Sequence, residues 1–108
     1  MILCVPLGDD SRVDPRWGRA AVVAVAEVLD GRIGSWREFR VDWDRLHDEG
    51  GPGRHHARVA RFLLEHHVER VVADHVGEGM VRMLATMGIG LRLGAEGLAR
   101  DAVLAAAA

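Results

Sequence analysis

Ala20-Ala21-Val22-Val23-Ala24-Val25-Ala26-Glu27-Val28-Leu29-Asp30-Gly31-Arg32-Ile33 is an almost unbroken apolar run that ends in an Asp-Gly pair. It carries β-branched residues and no charge before Glu27, the pattern of a central strand rather than a helix. Asp30-Gly31 supplies the positive φ angles of a type I′ turn, so residues 33–41 are predicted to fold back as an antiparallel partner. Arg32, Arg37, Glu38 and Arg40 then give that partner one wet face near a sheet edge.

On the N-terminal side, residues 1–7 read as a buried strand with Gly8-Asp9-Asp10-Ser11 as its exit loop. On the C-terminal side, residues 42–53 are polar and end in Gly50-Gly51-Pro52-Gly53, which predicts a flexible loop. Val59, Phe62 and Leu63 recur at helical spacing across residues 54–68. Residues 70–74 form a short apolar strand. A second helix opens at Gly77-Glu78-Gly79, carries the stripe Met80, Met83, Leu84 and Met87, and stops at Gly88. Residues 89–93 give a fifth strand and residues 95–106 a last helix, whose alanine tail is expected to fray. The order β-β-β-α-β-α-β-α, with two parallel crossovers after a hairpin, predicts a mixed five-stranded sheet with flanking helices.

The 108 residues support one domain, 1–108, and a 49% hydrophobic content supplies a packed core. Fourteen basic residues, all Arg, face sixteen acidic ones for a net charge of −2, which argues against a nucleic-acid or polybasic membrane binder. Cys4 is the one cysteine, so neither a disulfide framework nor a Cys-only metal site is available, and its place in the first strand reads as a buried thiol. No signal peptide or membrane-length apolar segment is visible, and a cytoplasmic protein is expected.

Six histidines are the candidate metal ligands. His55-His56 and His66-His67 lie at opposite ends of the first helix, roughly 16 Å apart along its axis, so the pairs cannot share one metal. The i, i+4 spacing of a helical clamp is absent. His66 and His67 are expected to meet helix-end carbonyls. His55 and His56 follow a glycine-rich loop and, with His75 after the fourth strand, are placed to line a crevice at one end of the sheet. Two turns would form its walls if the strands they follow are neighbours. In Val13-Asp14-Pro15-Arg16-Trp17-Gly18-Arg19-Ala20, Arg16 and Arg19 can reach an anion, Gly18 frees the backbone, and Trp17 either packs on the core or covers a ligand. In Val76-Gly77-Glu78-Gly79-Met80, Gly77 and Gly79 either present backbone N–H groups to an anion or merely allow a tight turn; the Lys and Ser/Thr of a P-loop are missing. Asp9, Asp10, Asp74 and Glu78 are weighed separately as carboxylates for metal-dependent phosphodiester hydrolysis.

These features together resemble the dinitrogenase iron–molybdenum cofactor biosynthesis family. The likeness rests on the Val13–Ala20 turn, a histidine (His56 or its neighbour) opening the first helix, and Val76-Gly77-x-Gly79-Met80 with Leu84 and Gly88-Ile89. It implies a ribonuclease-H-like three-layer α/β fold with strand order 3-2-1-4-5. It also implies an iron–sulfur or iron–molybdenum cluster, or a precursor, at the loop end. Cluster donor or acceptor proteins follow as partners, and a homo-oligomer is left open. Arg16 and Trp17 stand where the family usually has His-Phe, and arginine cannot ligate iron, though it can pair with an anionic cluster. Three functions follow. One is a non-catalytic carrier, with Arg16, Trp17, Gly18, Arg19, Gly77 and Gly79 around the cofactor, His55, His56 and His75 as metal ligands, and Cys4 as a weaker candidate ligand. The others are an interaction module whose crevice Trp17 fills, and a hydrolase built on Asp10 and Asp74.

Overall fold

The computed structural model describes residues 1–108. Its hairpin joins β2 (Val22–Leu29) to β3 (Arg32–Arg40). Asp30 and Gly31 both have positive φ, 52° and 75°, and Leu29 faces Arg32 across the two-residue turn, as a type I′ hairpin requires. The pairing slips once. Glu27 opposes Ser35 while Val28 opposes Ile33, which leaves Gly34 as a bulge. The period of a strand is two, so Ile33 and Trp36, three apart, would otherwise point to opposite faces; the bulge lets both pack on the same layer.

β1 (Ile2–Leu7) runs antiparallel to β2, and β4 (Arg70–Val72) and β5 (Gly90–Arg92) run parallel to it in turn. The sheet order is β3-β2-β1-β4-β5, the one the resemblance implies. Side chains alternate across this sheet. Cys4, Val23, Val25 and Val71 bury against Val59 and Leu63 of α2 (Gly51–Glu65) and Met80 and Leu84 of α3 (Glu78–Met87). Leu3, Val5, Ala24, Ala26 and Val72 bury against Ala99, Val103 and Ala106 of α4 (Ala99–Ala107). With both faces covered, β2 needs apolar residues at every central position, which is why its sequence is a run rather than an alternation. The methionine stripe belongs to this core.

Four local expectations are corrected. Residues 42–53 are not simply a loop: Trp43 is buried, and it starts a one-turn helix α1 (Trp43–Leu46), after which α2 begins three residues earlier than its apolar spacing indicates. Gly50 takes the left-handed cap and Pro52 sits in the first turn of α2, where its missing N–H costs nothing. α4 starts four residues later than expected, because Gly94 and Gly97 adopt φ of +76° and +81° and Val13 N–H bonds the Gly97 carbonyl. Its alanine end is held rather than loose: Ala106 is fully buried, and Arg70 donates to its carbonyl. His66 stacks with Phe39 and Phe62 (centroids 4.4 Å from each) instead of capping carbonyls. Gly88 ends α3 in the left-handed conformation as predicted. No helix is long and apolar enough to cross a membrane.

Candidate functional site

β1 and β4 are parallel neighbours, so the loops leaving their C-terminal ends open at one rim of the sheet. In the first loop, the buried Asp14 accepts from Arg16 N–H at 2.9 Å through Oδ1. That Asx turn around Pro15 sends the chain back across the rim, and the same Oδ1 lies 3.5 Å from Arg16 Nε. A single 3₁₀ turn over Trp17–Arg19 follows. Trp17 is only 2% exposed and meets Trp43 edge-on at 5.3 Å between centroids. Its Nε1–H has no hydrogen-bond partner.

The second wall is α2. His55 lies in its second turn, is 6% exposed and reaches back to the first loop, donating from Nε2 to the Gly18 carbonyl at 2.7 Å. Its Nδ1 accepts from Arg58 Nη1 at 3.0 Å, and the same Nη1 donates to the Leu46 carbonyl at 3.0 Å. Burial, then the Arg58, His47 and His56 charges, hold the His55 pKa below its ordinary value, against the raising effect of the Gly18 bond. The ring is therefore a neutral strut with both nitrogens engaged. His56 on the next position lies over Gly79, close enough that a Cβ there would sit 2.9 Å from its Cε1. The third wall is the start of α3. Gly77 and Gly50 precede α3 and α2 without any side-chain cap, and Gly77 and Gly79 of the one start and Gly51 and Pro52 of the other line the same opening.

These walls enclose an open cleft of about 670 Å³. Arg16, Trp17, Gly18, Arg19, His55, His56, His75, Gly77 and Gly79 all line it, as do His47, Asp48 and Pro52. The chain places together, from three separate segments, every residue considered for the carrier reading except Cys4. Arg19 takes part in no ion pair, while Asp48, the one carboxylate on the lining, is 3.2 Å from His47 Nε2. Trp17 forms part of the wall and leaves the cleft open.

Other candidates lie elsewhere. Cys4 is fully buried in the core, where burial raises its thiol pKa far above the ordinary value. None of Asp9, Asp10, Asp74 and Glu78 lines the cleft. No three His, Cys, Asp or Glu side chains come together closely enough to hold a metal ion. Asp14, His47 and Arg58 are structural members of the site that the sequence reading passed over. Asp14 was detectable as an Asp-Pro turn signal, and Arg58 as the i+3 neighbour of His55; His47, in an expected loop, carried no signal.

The sequence profile of the dinitrogenase iron-molybdenum cofactor family matches residues 1–108. The chain belongs to this family. Solved structures give the same fold. One is the crystal structure of a protein designated PH0822 (19% identity, TM-score 0.77, covering 98% of this chain and 88% of that one). Another is the apo form of the orange protein from Desulfovibrio gigas (24% identity, TM-score 0.76, 94% and 82%). A third is the NMR structure of a NifB-like protein from Thermotoga, assigned to the DUF35 family (22% identity, TM-score 0.67, 98% and 86%). At these identities the likeness is one of fold. No curated protein sequence matches the chain. Within the family, this member's first loop presents Arg16-Trp17 to the cleft, and the chemistry it offers there is cationic and hydrogen-bond donating.

Proposed function

We propose that this chain is a non-catalytic carrier that holds an anionic iron–sulfur or iron–molybdenum-type metallocluster, or its precursor, as cargo in the cleft. The observation that carries the reading is the composition of the walls: two arginines and two uncapped helix starts converge on one opening. Cationic side chains and oriented N–H groups hold an anion by charge and hydrogen bonds without needing a full set of coordinating atoms. That suits a site where no three ligating side chains meet. With both ring nitrogens of His55 engaged, His56 and His75 are the histidines available to touch the cargo.

A carrier must also release what it holds, and an open cleft with mostly electrostatic retention fits hand-over between cluster donor and acceptor proteins in the cytoplasm. The ribonuclease-H-like reading of the layers belongs to this proposal as an architecture and brings no hydrolysis with it.

Anaerobic reconstitution with iron and sulfide, with and without molybdate, followed by desalting, metal analysis and absorbance, tests the carrier. Retention of a stoichiometric chromophore that Arg16→Ala and Arg19→Ala each weaken, more so at 0.5 M salt, is the expected result. A wild type that keeps no cluster under any of these conditions removes the proposal.

A further inference from the structure

Of the three tryptophans, Trp36 donates its indole N–H to Glu38 at 2.9 Å, whereas Trp17 buries its own with no partner at all. Buried donors are almost always paired, so a lone exception calls for a specific cause. Trp17 is the sole buried side-chain donor or acceptor in the chain left in this state. It is also a wall of the cleft, between the cationic Arg16 and the Gly18 carbonyl that His55 holds. Phenylalanine would supply the same ring to the Trp43 edge contact without the unsatisfied group. The turn that carries Trp17 is closed by a 3.4 Å bond from Ala20 N–H to the Trp17 carbonyl and a 3.2 Å bond from Arg19 N–H to the Arg16 carbonyl, and the 2.7 Å bond from His55 to the Gly18 carbonyl pins its middle. Because that N–H is buried, an anion reaches it only when the indole edge is uncovered.

We propose that the indole N–H of Trp17 is a specificity donor: it pairs with a terminal oxo or sulfido atom of an anion in the cleft and so selects anions that carry such acceptors. The inference rests on the anion-holding role of the cleft. It adds a directional contact to what charge alone supplies, because Arg16 and Arg19 attract any anion whereas one N–H selects an acceptor atom at one place.

Nitrogen-15 spectra of the full chain resolve the test, since each of the three tryptophans gives one indole N–H signal and Trp36 serves as the internal control. Molybdate and tetrathiomolybdate, an oxo and a sulfido anion of like shape and charge, are titrated at constant ionic strength, with chloride as the reference. The Trp17 signal is expected to move downfield with either anion while the Trp36 signal stays. Trp17→Phe is expected to bind both anions about tenfold more weakly and to melt at a higher temperature without ligand. Anion binding with an unmoved Trp17 signal overturns the inference, as does a Trp17 signal already downfield and in contact with a resident water before any anion is added. Failure of both anions to bind also overturns it, whether or not a cluster is retained. Loss of cluster retention with both anions still bound overturns the carrier reading and leaves the Trp17 donor standing.

Discussion

His55 and Gly18 are 37 residues apart in the chain, and a 2.7 Å hydrogen bond from the imidazole Nε2 to the glycine carbonyl locks them together. The other ring nitrogen is tied to Arg58, which in turn holds the end of α1. One neutral histidine thereby ties the first loop, α2 and the end of α1 together.

Truncating this strut leaves the Gly18 carbonyl without its donor and takes from Arg58 one of its two acceptors. His55→Ala is expected to cost about 2–3 kcal/mol, the range for stranding buried polar groups together with lost packing. His55→Gln, whose amide can still donate toward Gly18, should cost clearly less. Urea unfolding followed by circular dichroism measures both.

The same residue sets a pH dependence. Its folded pKa lies below the ordinary value, so the unfolded chain binds the proton first as pH falls. Stability is therefore expected to be full above about pH 6.5, to decline as pH drops below that, and to level off once the folded ring also protonates. Comparing unfolding midpoints between pH 5 and 8 for the wild type and His55→Gln isolates the contribution; parallel curves would contradict the assignment.

Gly79 and His56 give a separable effect. A methyl group at position 79 would meet the His56 ring at 2.9 Å, so Gly79→Ala must displace that side chain. The substitution also raises helix propensity by about 1 kcal/mol in α3. The two effects are expected to cancel to within about 1 kcal/mol of overall stability while the His56 ring resonances shift. A stability loss well beyond that would mean that His56 cannot move aside.

Cys4 is enclosed by the core and its thiol is held protonated. It should resist a disulfide-exchange reagent in the native protein and react fully in denaturant. Reaction at the rate of a free thiol under native conditions would show a first strand that opens.

Much of the architecture was legible from local pattern. The Asp30-Gly31 turn, the apolar run of β2 and the glycine stop at position 88 each follow from backbone rules that act over a few residues. What escaped was decided by contacts between distant segments. The Gly34 bulge exists so that Ile33 and Trp36 can share the layer against α4. The helix at Trp43 forms where that indole finds Trp17, Phe62 and His55. The delayed start of α4 answers to the bond between Val13 and Gly97.

The candidate site divides in the same way. That Arg16, Arg19, His56, His75 and the glycines at 77 and 79 could serve one opening was readable, because the turns carrying them follow strands that a mixed sheet of this order makes neighbours. Which histidine carries structure and which stays available was not. His55 and His56 are adjacent and chemically identical, yet one faces the Gly18 carbonyl and Arg58 and the other lies over Gly79. Side chains one residue apart on a helix diverge by about 100°, so their surroundings come from different parts of the fold. Residue order specifies the donors and the turns; only the packed chain assigns each donor a partner, and in Trp17 it leaves one donor without any.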